Sequence, residues 1–236
     1  MSNGVVRTSS RALFSWSRLV VNADDFGISP RINEGIVQAH RQGIVTSTSL
    51  MAVGRAFDHA VQCRLDTPTL DIGVHLTVVA ERPVLKHNSS LLGNDGRFPA
   101  SVGAFVRRFL TGVIRRTDVE AEWSAQIERI LAQGIPVTHL DSHQHLHTLP
   151  GLTDLGRRLA ARYRIPFVRV PVEPPWIGTG TSLHDINRRL GATALASCNL
   201  LTRLTDSGNM NLRPLRFLGF HDGGRLDEHR LTRLLR

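Results

Sequence analysis

Leu19-Val-Val-Asn-Ala-Asp-Asp-Phe-Gly-Ile-Ser-Pro30 is the stretch on which the fold turns. Leu19 to Ala23 is a short apolar run passing into polar residues, the pattern of a buried parallel strand. Ser29 then offers an N-cap, and Pro30 a first helical position where a missing N–H costs nothing. Ile32, Ile36, Val37 and His40 continue at helical spacing, and Gly43 is a natural stop. A strand therefore runs into a helix, with the pair Asp24-Asp25 at the junction.

The same unit recurs along the chain. Ile44 to Met51 reads as a strand, Arg55 to Cys63 as a helix and Leu70 to Leu76 as a strand. Residues 80 to 100 carry Pro83, Gly93, Pro99 and an Asn94-Asp95-Gly96 turn, which predicts an irregular excursion over one face. Asp118 is expected to cap a helix with apolar face Trp123, Ile127, Ile130 and Leu131, ending at Gly134. Val137 to Asp141 is a strand, Leu152, Leu155 and Leu159 mark a helix, and Ile165 to Val170 form another strand. Pro171, Pro174 and Pro175 open a second loop. Helices are expected over much of 181 to 205 and from Asp227 onward. Strand and helix alternating this often imply an α/β fold with a parallel sheet, open or closed into a barrel. In both forms active residues gather where strands end.

An apolar fraction of 41% supports a real core, and residues 19–236 read as a single domain behind a flexible leader at 1–18. The leader has Arg7, Arg11 and Arg18 but no apolar centre or small-residue cleavage site, unlike a secretion signal. No apolar run reaches the roughly 18 residues that cross a bilayer, so a cytoplasmic protein is expected. Cys63 and Cys198 lack metal-ligand spacing and read as two buried thiols in a reducing compartment. The formal charge of +9 raises nucleic acid as a partner. Of 29 basic residues only Lys86 is lysine, and the arginines are scattered rather than striped with aromatics, which argues against nucleic acid. Such an arginine excess could instead favour an anionic membrane surface, met peripherally, or an anionic group on a substrate.

Three polar clusters sit at strand ends. Val137-Thr-His-Leu-Asp-Ser-His-Gln-His-Leu-His147 holds four of the eleven histidines together with Asp141. Imidazole and carboxylate are the usual ligands of a borderline divalent cation. His143, His145 and His147 alternate, so they could line one side of an extended segment, and His139 shares their parity. Asp24 and Asp25 would face opposite ways on a regular strand and can share a site only where the backbone turns. One could then bind a cation while the other takes a proton from water; the plainer reading is a helix cap. His75, on an apolar strand, would in isolation be a satisfied core histidine.

Asn22-Ala-Asp-Asp-Phe-Gly27, Gly43-Ile-Val-Thr-Ser-Thr48, Gly73-Val-His-Leu76 and Thr138-His-Leu-Asp-Ser-His-Gln-His-Leu-His147 together resemble the YdjC-like carbohydrate deacetylases, which include chitooligosaccharide deacetylases and hopanoid-biosynthesis-associated proteins. Arg169-Val-Pro-Val-Glu173 resembles the hopanoid-associated branch. The resemblance implies a distorted (β/α) TIM-like barrel and hydrolysis of N-acetyl groups from amino sugars. It implies Asp25, His75 and His143 as ligands of one divalent metal ion and Asp24 as general base. Magnesium and zinc are both known in the family; two imidazoles and a carboxylate suit zinc better. His145, close to the metal ligands in sequence, is the candidate proton donor to the leaving amine. The substrate implied is an N-acetylglucosaminyl glycolipid of hopanoid type or a chitooligosaccharide.

The family pattern runs on to a strand ending in a Cys-His-Pro-like segment, whereas this sequence ends at Arg236; His221, in Phe-His-Asp-Gly-Gly224, does not stand in that context. A barrel lacking its last strand is thus expected, with an exposed edge that a homodimer partner could cover. Two other readings follow. A metal-binding but inactive truncated homologue or partner subunit would bind the ion without turnover. A glycosidase would need two carboxylates about 5 to 10 Å apart across a cleft, which adjacent Asp24 and Asp25 supply poorly.

Overall fold

The computed structural model describes residues 19–86, 89–174, 182–205, 217–222 and 227–234. Residues 1–18, expected to form a leader, and residues 175–181 of the second expected loop lie outside the described residues.

Five strands form one parallel sheet: β1 (Asn22–Phe26), β2 (Ser47–Leu50), β3 (Asp71–Leu76), β4 (Val137–Ser142) and β5 (Phe167–Val168). Their order in space is their order along the chain. A doubly wound sheet reverses direction at a switch point; a sheet that keeps adding strands on one side is built like the wall of a (β/α) barrel. The fold is α/β and consistent with a distorted TIM-like barrel. All five strand ends that carry polar residues therefore lie at one rim.

The helices are α1 (Pro30–Gln42), α2 (Phe57–Leu65), α3 (Val102–Leu110), α4 (Arg116–Leu131), α5 (Leu152–Arg162), α6 (Leu183–Thr205) and α7 (Glu228–Leu234). Ser29 caps α1, its Oγ accepting from the Ile32 N–H at 3.3 Å, with Pro30 at the first position. Trp123, Ile127 and Ile130 of α4 and Leu152, Leu155 and Leu159 of α5 are wholly buried. They pack in one core with Ile72, Val74, Leu76 and Leu140 from the strands. No helix among the described residues is long and apolar enough to cross a membrane.

Four local expectations need correction. The first strand begins at Asn22, not Leu19, because pairing with β2 starts at Asn22 opposite Ser47; Leu19 and Val20 are exposed. Helix α3 lies where no helix was expected. Ser101 caps it through the Ala104 N–H at 3.3 Å, and Phe105 stacks on Phe109 one turn later, a readable i,i+4 signal. Asp118 stands inside the first turn of α4 rather than at its cap. Its carboxylate accepts the Ser90 N–H at 2.7 Å. Glu122 likewise accepts from Val84 and Leu85 N–H, and Gln126 bonds both the N–H and the C=O of Thr77. One polar edge of α4 thus satisfies the backbone of the irregular excursion, which could not otherwise lie buried. Finally, Cys63 and Cys198 are free thiols but only half-buried.

Candidate metal and acid-base centre

Strand side chains alternate between two faces. Ile72, Val74, Leu76 and Leu140 turn one way, into the apolar core. Ser47, Ser49, Gly73, His75, His139 and Asp141 have the opposite parity, and all five side chains among them are buried. Parallel register sets Ser49 beside Gly73, Gly73 beside His139, and His75 beside Asp141. One face of this sheet is therefore a buried polar layer.

At the rim β1 breaks its regular form. Its register with β2 shifts between Ala23 and Phe26, and Asp25 has φ 67°. Left-handed backbone is uncommon outside glycine but tolerated by Asp, and it costs on the order of 1–3 kcal/mol. That kink lets two consecutive carboxylates enter one site. Asp25 Oδ1 lies 2.9 Å from His143 Nδ1 and 3.3 Å from His75 Nε2. Asp24 receives two parallel hydrogen bonds from Arg169, at 2.8 and 3.0 Å.

Arg169 follows the short β5 and lies, largely covered, between two acids: its second nitrogen also lies 3.0 Å from Asp141 Oδ2. Burial alone pushes the Asp24 carboxyl up, but the Arg169 guanidinium more than offsets this and holds it below the usual carboxylate range. Asp141 is opposed in the same way by burial and held well below that range by Arg169 and His75. Its other oxygen accepts from His75 Nδ1 at 2.6 Å. Burial would lower the His75 pKa, yet Asp141 and Asp25 push it up to about 10. Arg169 and Asp141 were not assigned roles from the sequence. Asp141 could have been found from its parity with His139 and His143; Arg169 has no signal beyond the resemblance of its segment.

The histidine run is not extended. His143–Thr148 forms a 3₁₀ turn in which Gln144 and His145 both take left-handed backbone, φ 55° and 56°. The turn distributes the rings in different directions. His143 faces Asp25. His147 is buried, with Nδ1 2.6 Å from Ser142 Oγ and Nε2 donating to the Arg169 carbonyl at 2.8 Å. His145 packs beside Phe217 and Phe220, and its buried Nδ1 has no hydrogen-bond partner among the described residues. Burial and nearby Arg169 push its pKa down to about 3, so the ring is neutral at pH 7. His139 stays in β4 with its Nε2 3.2 Å from Ser49 Oγ, and burial lowers its pKa. The phenylalanines are brought there by Glu173, whose buried carboxylate accepts from Gly219 and His221 N–H at 3.0 and 2.8 Å.

Two predictions arise here. A Cβ added at Gly73 would lie 2.2–2.4 Å from three ring atoms of His139. Gly73→Ala must displace that ring, and chemical denaturation should show a loss at the upper end of the roughly 1–3 kcal/mol typical of overpacking. His147 provides a pH test. Burial pushes its pKa down to about 4, from 6.5 unfolded. The unfolded chain takes up a proton near 6.5 while the folded one refuses it until about 4, so stability is full above 6.5 and falls between those values. The loss from this group is about 3 kcal/mol. Denaturation midpoints measured from pH 7 to 4.5 should fall, and fall less steeply in His147→Asn.

The residues suit a divalent cation. Asp25, His75 and His143 each present one ligand atom, and these atoms lie within 4.8 Å of one another. Because His75 gives its Nδ1 proton to Asp141, its Nε2 is the nitrogen turned toward Asp25, the tautomer a metal-facing histidine takes. The pull that keeps a proton on this buried imidazole is the pull that would hold a cation. A second group, Asp24, His75 and Asp141, has the same span. There the Arg169 guanidinium already pairs with both carboxylates.

A family model described as YdjC-like protein matches residues 18–236. The chain belongs to the YdjC-like family. Among its relatives, a carbohydrate deacetylase of Brevibacillus brevis is 41% identical over 162 residues, covering 68% of this YdjC-like chain and 60% of the relative. A carbohydrate deacetylase of Clostridium beijerinckii is 32% identical over 203 residues, 85% of this chain and 80% of the relative. Matches to the Brevibacillus, Geobacillus and Halalkalibacterium deacetylases span only 60, 61 and 62% of their length. A crystal structure from Enterococcus faecalis, provisionally described as a cellobiose-phosphate cleavage protein, superposes with TM-score 0.58 at 34% identity, covering 63% of this chain and 57% of that one.

Proposed function

We propose that this YdjC-like chain removes the N-acetyl group of an amino sugar by metal-assisted hydrolysis, with Asp25, His75 and His143 holding one divalent ion. The observation that carries this reading is the convergence of those three ligand atoms beside Asp24, a carboxylate kept ionised by Arg169. The names of the relatives supply the reaction class. Zinc is favoured by the donor set of two nitrogens and one oxygen; magnesium is the alternative. When bound, such an ion acidifies water and polarises an acyl oxygen.

The chain's own residues do the rest. Asp24 accepts the proton of the attacking water. Arg169 fixes the plane of that carboxylate and keeps it ionised until the proton is transferred. Asp141 holds the His75 ring so that Nε2 faces Asp25. His145 is the candidate donor to the leaving amine; being neutral, it can act only after receiving a proton, and the one taken by Asp24 is the source. The substrate proposed is an N-acetylglucosaminyl glycolipid of hopanoid type or a chitooligosaccharide. The glycolipid is supported by the Arg169–Glu173 segment and by a charge of +9 suited to peripheral contact with an anionic membrane.

The test is acetate release from N-acetylglucosaminyl lipid and from chitooligosaccharides, with and without chelator. Release that chelation abolishes and added ion restores is expected. A folded, ion-loaded sample releasing no acetate from either would leave the inactive metal-binding homologue as the better reading. Release of sugar in place of acetate would instead favour glycosidic cleavage, the activity suggested by the Enterococcus neighbour's description. The geometry speaks against that, since Asp24 and Asp25 share one cluster rather than flanking a bond.

A further inference from the structure

We propose that Ser49 is a positioning residue that couples the base Asp24 to the metal-facing His75. This rests on the metal-dependent reading above. Ser49, on β2, bonds none of Asp25, His75 and His143 among the described residues; its partners are Asn22, His139 and Asp141.

A hydroxyl has one proton and two acceptor sites. The Ser49 proton goes to Asp141 Oδ2 at 2.6 Å. One acceptor site takes the Asn22 side-chain amide at 2.9 Å. His139 Nε2 lies further off, at 3.2 Å. Thr138 Oγ1 gives its one proton to the Ile72 carbonyl at 3.2 Å, so it accepts from His139 Nδ1 at 3.0 Å, and a neutral His139 has no proton left on Nε2. One acidic acceptor and one amide donor therefore fix the direction of the Ser49 hydroxyl.

Two branches leave this hub. Through Asp141 it reaches His75 Nδ1, and so sets which face of the ring is offered to the ion. Through Asn22, whose amide also donates to Asp24 Oδ1 at 2.8 Å, it reaches the base. The fold makes room for the arrangement. Gly73 lies against the His139 ring where no side chain could fit, and Ser49, Gly73 and His139 are register neighbours on three strands. Asp141 stands one step behind a ligand, a place whose loss typically changes metal affinity 10–100-fold, and Ser49 acts through it from one bond further back.

The bland alternative is polar packing, which would affect stability alone. Cobalt(II) and zinc affinities of the full chain, measured against a competing chelator, separate the two. Ser49→Ala should weaken ion affinity about tenfold and lower kcat with KM unchanged. Asn22→Ala removes the branch from Ser49 to Asp24 and should lower kcat while ion affinity is retained. Combined with Ser49→Ala, it should lower kcat by less than the product of the separate effects, because the two act along one path. Ser49→Ala with parental affinity and kcat, or kcat effects that multiply independently, would overturn the proposal. Where Ser49→Ala does not fold, unchanged kcat in Asn22→Ala overturns it alone. A parental chain that binds neither ion refutes the metal reading instead, a distinct outcome.

Discussion

Asp24→Asn is expected to lower kcat for acetate release by about 10²–10⁴, the usual contribution of a positioned acid-base group, while leaving divalent-ion affinity nearly unchanged. The asymmetry follows from the geometry. Asp24 is not among the three converging ligand atoms, so its replacement leaves Asp25, His75 and His143 in place. Arg169 does not become an unpaired buried charge, because Asp141 still lies 3.0 Å from it. Asparagine keeps the shape and, with its oxygen toward Asn22 and one Arg169 nitrogen, loses the capacity to take a proton together with one Arg169 hydrogen bond. Equal loss of ion affinity and turnover would make Asp24 a ligand rather than a base and sink the assignment. Retained turnover would move the base elsewhere. Acetate assays paired with ion titrations on the same folded sample decide it.

Asp141→Asn should instead damage both stability and ion binding. The wild-type carboxylate is wholly buried and receives His75 Nδ1, Ser49 Oγ and Arg169. An amide offers one oxygen in place of two and turns donors toward donors. Breaking one member of a buried ionic network costs about 3–5 kcal/mol. Loss of the group behind a metal-facing histidine costs about 10–100-fold in ion affinity. Denaturation in the absence of metal measures the first effect, and titration at a temperature where the variant is folded measures the second. A variant as stable as its parent would mean that Arg169 and His75 find other partners.

Much of the architecture could be read from pattern because it rests on local rules. Ser29-Pro30 opens a helix, and the Leu152, Leu155 and Leu159 spacing buries one face of α5. The alternation of such units implied a parallel sheet before any contact was known. The polar layer was harder. On strands buried on both sides, hydropathy marks His75 and Asp141 as exceptions, and only pairing register reveals that Ser49 and Gly73 share their face. The kink at Asp25 was anticipated from chemistry, two acids needing one site, but the left-handed turn through Gln144 and His145 was not. Nothing in alternating histidines distinguishes an extended run from a 3₁₀ turn. Arg169 was legible only as part of a motif, because one arginine among many carries no local mark of burial. Roles followed spacing less well than placement did. His145 was chosen by proximity along the chain, and its surroundings of Phe217 and Phe220 come from a segment some seventy residues later.

The guanidinium shared by Asp24 and Asp141 stands just after the last of the five strands to leave the ribosome. A nascent chain that closed the first four strands would leave the buried Asp141 with the His75 imidazolium alone, and Asp24 without its bidentate partner. Arrival of residue 169 is thus the event that completes the charge balance of the rim.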